Sequence, residues 1–195
     1  MKRGIVILLG FLLILPALAT ATVLTFEDID TSVNSWNNIP DGYAGFNWFS
    51  MRVADPVGLG YTADDGSGLV LGIASGKQVA YNPYADWEVI TSSSIFDFNG
   101  AYFTAAWNNG DILHVVGYLK GAQVYEKYIT LYVAPSKYYT FNWNGIDQLG
   151  LYPSGVLYVM DNFTYNEPVP EPGTLMLLGG GLMGLVGYGR RRLKK

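Results

Sequence analysis

Between Val23 and Tyr165 the sequence is a series of short aromatic and β-branched runs cut apart by glycine, asparagine and proline, and no long helical period passes through it. A chain punctuated in this way buries its apolar residues by pairing strands. Tyr102-Phe103-Thr104-Ala105-Ala106-Trp107 leads through Asn109-Gly110 into Ile112 to Leu119, and Lys120-Gly121 turns the chain into Val124 to Val133. Asn144-Gly145 repeats the device between Tyr139–Trp143 and Ile146–Tyr152, and Pro153-Ser154-Gly155 leads into Val156 to Tyr165. Such dipeptides suit tight turns that need positive φ, so an antiparallel meander is predicted here. Earlier strands are expected at Val23–Phe26, Phe46–Val53, Leu69–Ile73, Gln78–Tyr81 and Ile95–Phe98, with long polar loops at Asp30–Gly42 and Ala54–Gly68. About ten short strands are too many for one open sheet and fit two packed face to face. The expectation is an all-β domain over residues 22–166, an antiparallel β-sandwich of jelly-roll type.

Half the residues are hydrophobic, 15% are aromatic and only 14% are charged, which suits a packed core and argues against disorder. There is no cysteine, so core packing, hydrogen bonds or a metal must do what disulfides do in other exported domains. The net charge of −4 is unevenly spread. All sixteen acids lie between Glu27 and Glu171, where the bases are only Arg52, Lys77, Lys120, Lys127 and Lys137, giving that stretch −11. Nucleic acid is a poor partner for such a body, because neutralising phosphates takes clustered lysine and arginine.

The remaining bases flank two apolar runs. Lys2 and Arg3 precede Gly4–Leu15, followed by Pro16 and Ala17-Leu18-Ala19-Thr20-Ala21. That order is a secretory signal peptide over residues 1–21, cleavable after Ala19 or Ala21 and addressed to the Sec export machinery. At the other end Asn166-Glu167-Pro168-Val169-Pro170-Glu171-Pro172-Gly173 reads as an extended, solvated linker, since its prolines fix φ and remove donors. Thr174–Tyr188 follows as a single hydrophobic helix; its length of about 22 Å at ~1.5 Å per residue makes it a marginal span. Arg190, Arg191 and Arg192 form a basic stop-transfer element that stays cytoplasmic, leaving the acidic body outside.

Pro170-Glu171-Pro172, the apolar run and the arginine cluster together resemble the PEP-CTERM sorting signal of bacteria that make extracellular polymers. The resemblance implies that residues 167–195 are a sorting signal. It further implies that an exosortase recognises Pro170-Glu171-Pro172 and removes the tail after transient residence in the inner membrane, so that the body is expected at the cell surface or secreted. The strand pattern also resembles the galactose-binding-like sandwiches common among carbohydrate-binding modules, an analogy of fold alone.

Little in the body reads as catalytic. His114 is the single histidine and sits in a strand pattern; there is no G-x-S-x-G elbow and no phosphate-cradling loop. Sixteen acids always offer pairs for glycoside hydrolysis, and a hydrolase or lyase would place two carboxylates roughly 5–9.5 Å apart in a cleft. Glu27 and Asp28 near the start of the body and Asp161 near its end would instead suit a structural Ca²⁺ if first and last strands lie together, since Ca²⁺ takes oxygen ligands. Trp107 and Trp143 lie in strand patterns and read as core, whereas Trp36 and Trp87 flank polar loops and are the candidates to stack on sugar rings. The sequence thus reads as a non-catalytic structural or adhesive component of the cell surface or matrix. The alternative is a carbohydrate-binding module for an exopolysaccharide.

Overall fold

The computed structural model of the protein describes residues 21–166 and, apart from them, Gly179. Strands β1 (Thr22–Leu24), β2 (Trp36–Asn38), β3 (Phe46–Phe49), β4 (Arg52–Ala54) and β5 (Val79–Tyr81) are short. They are followed by β6 (Glu88–Ala105), β7 (Asp111–Leu119), β8 (Ala122–Leu131), β9 (Lys137–Pro153) and β10 (Tyr158–Tyr165), and one short helix, α1 (Gly68–Leu71), precedes β5. Every strand pairing is antiparallel.

The two long strands organise the molecule. The second half of β6 pairs with β10 and with the first half of β9, and the row continues outward as β10-β5-β4-β2, with β1 beside the end of β10. The first residues of β6 pair instead with β3 and with the second half of β9, which pairs with β7 and then β8. Both long strands lose register between Thr91 and Gly100, where bulges bend them from a first sheet into a second. Apolar residues point inward on both layers at alternate positions, as in Leu113, Val115, Ile129, Leu131, Leu149 and Leu151 of the second sheet. Aromatic rings join the layers: Trp48 of β3 meets Phe163 of β10 edge-on at 5.4 Å, and Tyr125 of β8 stacks on Trp143 of β9 at 5.4 Å and 9°. The architecture is the expected antiparallel β-sandwich.

A smaller cluster of Leu69, Val79, Ala106 and Val159, with Tyr61, Ile73, Tyr81 and Leu157 against it, covers part of the outer side of the first sheet. Leu69–Ile73, expected as a strand, supplies α1 instead. Ser67 accepts the Leu69 amide at 3.3 Å and caps the turn, and so short an apolar run has no period to decide between strand and helix.

The meander is also corrected. Lys120-Gly121 does form the β7–β8 hairpin, with φ of 52° and 78°. Asn109-Gly110 does not pair its flanking strands; it carries the chain between sheets and is fastened to the end of β8 by Gly110 N to Leu131 O at 2.9 Å and Val133 N to Asn109 Oδ1 at 2.8 Å. Asn144-Gly145 lies inside β9 at its bend, where the Gly145 amide donates to Asp97 Oδ1 at 2.7 Å. Apart from β4–β5 and β7–β8, side-by-side strands are therefore non-consecutive, as in a jelly roll. The signal peptide and the C-terminal helix lie outside the described residues. Among the described residues no helix is long and apolar enough to cross a membrane.

Candidate functional site

Two connections cross between the sheets side by side. Residues 50–51 join β3 to β4 and residues 82–87 join β5 to β6, and their ends are paired at Arg52 with Tyr81 and at Phe49 with Val89. Ser50 and Ala85 take positive φ, 66° and 55°, to make the reversals. The longer loop is pinned from below. Asn82, fully buried, donates from Nδ2 to Val156 O at 2.9 Å and accepts the Tyr158 amide at 2.6 Å, and Tyr158 Oη donates to Glu88 Oε2 at 2.9 Å. Burial pushes the Glu88 carboxyl up to about 8, with the charge of Asp86 adding to it and the Tyr158 bond opposing it. Burial and the facing Glu88 hold the Tyr158 phenol well above its usual range.

On this base the aromatic side chains open to solvent. Trp87 and Phe49 are 46% and 57% exposed and stack on each other at 5.2 Å and 23°. In the first sheet the Arg52 guanidinium lies 4.1 Å above the half-buried Trp36 ring and 5.2 Å from that of Tyr84. It is oriented by donating from Nη2 to Tyr84 Oη at 2.8 Å and from Nε to Asn38 Oδ1 at 3.1 Å. Cation–π contact and two hydrogen bonds thus hold a planar stack at the open end of the sandwich. The two tryptophans picked out by sequence each gain a partner here. Phe49, Arg52 and Tyr84 escaped notice, although Arg52 is the one arginine of the acidic stretch and so carried a signal of its own. Trp143 is core as expected, but Trp107 is 45% exposed beside Tyr61.

The expected calcium set does not assemble. Glu27 Oε1 accepts the Lys77 and Gln78 amides at 2.9 and 2.7 Å, while Asp161 Oδ2 accepts those of Ala74 and Ser75 at 2.8 and 2.9 Å and its Oδ1 accepts that of Asn162 at 2.6 Å. Both carboxylates therefore clamp one loop, residues 74–78, against β10. Asp28 turns away to accept Tyr43 Oη at 2.6 Å and lines two shallow hollows of about 250 and 410 Å³ with Asp30. Among the described residues no group of three or more acidic, histidine or cysteine side chains is placed to hold a metal. Burial pushes the Asp161 carboxyl up to about 6 against the pull of its three amides, and Glu27 adds to the rise. His114 is a surface residue, 3.3 Å from Glu126 Oε2 and stacked on Tyr128.

Beyond Asn166 the sequence matches the family model described as the PEP-CTERM protein-sorting motif, over residues 168–192. The chain carries a PEP-CTERM sorting motif. Pro170, Glu171, Pro172, Arg190, Arg191 and Arg192 of this PEP-CTERM protein lie outside the described residues, and the match is the signature of exported exosortase substrates. No curated protein matches the chain. Among solved structures it is similar to a Streptococcus pneumoniae fucose binding module, at 15% identity and a TM-score of 0.34 over 44% of this chain and 69% of that one. It is also similar to TmCBM61 in complex with beta-1,4-galactotriose, at 8% identity and a TM-score of 0.38 over 66% of this chain and 97% of that one. Superpositions this loose carry no argument about ligand.

Proposed function

We propose that this PEP-CTERM protein is a non-catalytic component of the cell surface or extracellular matrix whose sandwich associates with polysaccharide. It leaves the cell through the Sec machinery, rests transiently in the inner membrane and is released from its tail by an exosortase. The observation that carries the binding role is two groups of solvent-reaching rings, Trp87 on Phe49 and Arg52 against Trp36 and Tyr84, at neighbouring connections between the sheets. Exposed aromatic faces fixed by neighbours suit the apolar C–H faces of sugar rings and cost little ordering on binding. A non-catalytic role is supported by the acids: Glu27 and Asp161 are spent on holding a loop, and Glu88 faces Tyr158 in the core.

A glycan array probed with the purified protein tests the reading. Binding to at least one polysaccharide class is expected, weakened about tenfold or more, some 1.4 kcal/mol, by Trp36→Ala or Trp87→Ala with an unchanged circular dichroism spectrum. A protein that binds no glycan, or whose binding ignores both variants, would sink the proposal.

A further inference from the structure

The outer side of the second sheet carries further rings, and strand register places them in line with Trp87. His114 pairs with Tyr128 of β8 on one side and with Tyr152 of β9 on the other. Glu88 pairs with Leu151, so Trp87, one position earlier, comes level with Tyr152. The line Trp87, Tyr152, His114, Tyr128 therefore crosses β6, β9, β7 and β8 at right angles. At a strand spacing of about 4.8 Å it is roughly 14 Å long.

Each member is held. Tyr128, 65% exposed, stacks on His114 at 4.1 Å and 3°, and His114 lies 5.9 Å from Tyr152. Tyr152 lies down over Gly150, where an added Cβ would come within 2.5 Å of its ring, and its hydroxyl is 3.1 Å from that of Tyr118. Only a glycine leaves room for that pose. Val116, paired with Gly150 and facing the same way, is buried as a result. Polar groups border the line: Glu126 Oε2 receives Gln123 Nε2 at 3.1 Å. Lys127, the cation of this strand, leaves from the opposite side of the sheet and donates to Thr140 O of β9 at 2.9 Å.

We infer that this line is a binding site for an extended, uncharged polysaccharide chain lying across the strands from Trp87 to Tyr128. The inference rests on the polysaccharide reading above and extends it from a loop site to a sheet face. Because His114 and Tyr128 stack on each other, the sugar chain meets the edge of His114 and the exposed side of Tyr128 at one end of the line. At the other end it meets the rings of Trp87 and of Tyr152, laid over Gly150, while its hydroxyls meet Tyr118, Gln123 and Glu126. The −9 charge of residues 22–166, fourteen acids against five bases, with Glu126 beside the line, repels a polyanion and selects against acidic glycans.

His114 is the only histidine, so its ring resonances report on the middle of the line without any substitution. The purified protein is titrated with disaccharides and hexasaccharides of β-1,4-galactan, β-1,4-glucan and mannan. A hexasaccharide should bind about tenfold tighter than its disaccharide and shift the His114 signals. His114→Ala, Tyr128→Ala and Gly150→Ala, the last displacing Tyr152, should each remove that gain in affinity with length while disaccharide binding at the loop end stays. If the gain survives all three variants and the His114 signals do not move, the line is no site, although the loop reading stands so long as Trp36→Ala weakens disaccharide binding. If no oligosaccharide binds, both readings fall. His114 signals that follow protein concentration instead of sugar would identify a second copy of the chain as the occupant and overturn the inference.

Discussion

Glu88 opens the longest strand with its carboxyl inside the core, facing Tyr158. With its pKa raised from 4.5 to about 8, the folded state holds the proton more tightly than the unfolded chain does. Its contribution to stability is therefore complete below about pH 4.5 and is lost as pH rises towards 8. Asp161, raised from 3.8 to about 6, has the same sign over a lower window. The melting temperature should fall between about pH 5 and 8, and Glu88→Gln, which still accepts from Tyr158, should flatten the upper part of that slope. An unchanged slope would mean that Glu88 is ionised in the fold. Asp161→Ala strands three amides, at a cost of about 1–3 kcal/mol each where they stay buried. That loss of melting temperature should be equal in millimolar calcium and in chelator; a calcium-dependent difference would show the carboxylates converging on an ion after all.

Among the elements, α1 depends on one close approach. A Cβ at Gly68 would come within 1.8 Å of Ala105 O, which is backbone and cannot step aside. Gly68→Ala should lift α1 off the first sheet, open the cluster around Leu69 and Val159, and cost at least about 2 kcal/mol in chemical denaturation. Strand positions were largely legible in sequence because alternation and β-branched content are local. Their partners were not. Lys120-Gly121, Asn109-Gly110 and Asn144-Gly145 share one turn chemistry, yet they serve as a hairpin, a crossing between sheets and a bend inside β9. What separates them is which strand waits on the other side, a fact of the packed chain. The site followed suit: Trp36 and Trp87 could be picked from their flanks, whereas Tyr152 and Tyr128 acquire meaning only through register.

For the molecule as a whole, the two ends of the body meet. Thr22 pairs with Tyr165, so the chain enters and leaves the sandwich at one place. Changing Pro170-Glu171-Pro172 to alanines should leave export intact and block removal of the tail in a host with the matching exosortase, read as a larger, membrane-retained form on a gel. Normal processing of that variant would refute the role of these residues. On the proposed function, a load on the body before that cut enters it through β10, the strand next to the sorting motif. β10 lies between β6 on one side and β5 with β1 on the other. A pull along its axis slides it against both neighbours, so its hydrogen bonds yield together instead of peeling one at a time. The sorting motif thus follows directly on a strand paired along both edges.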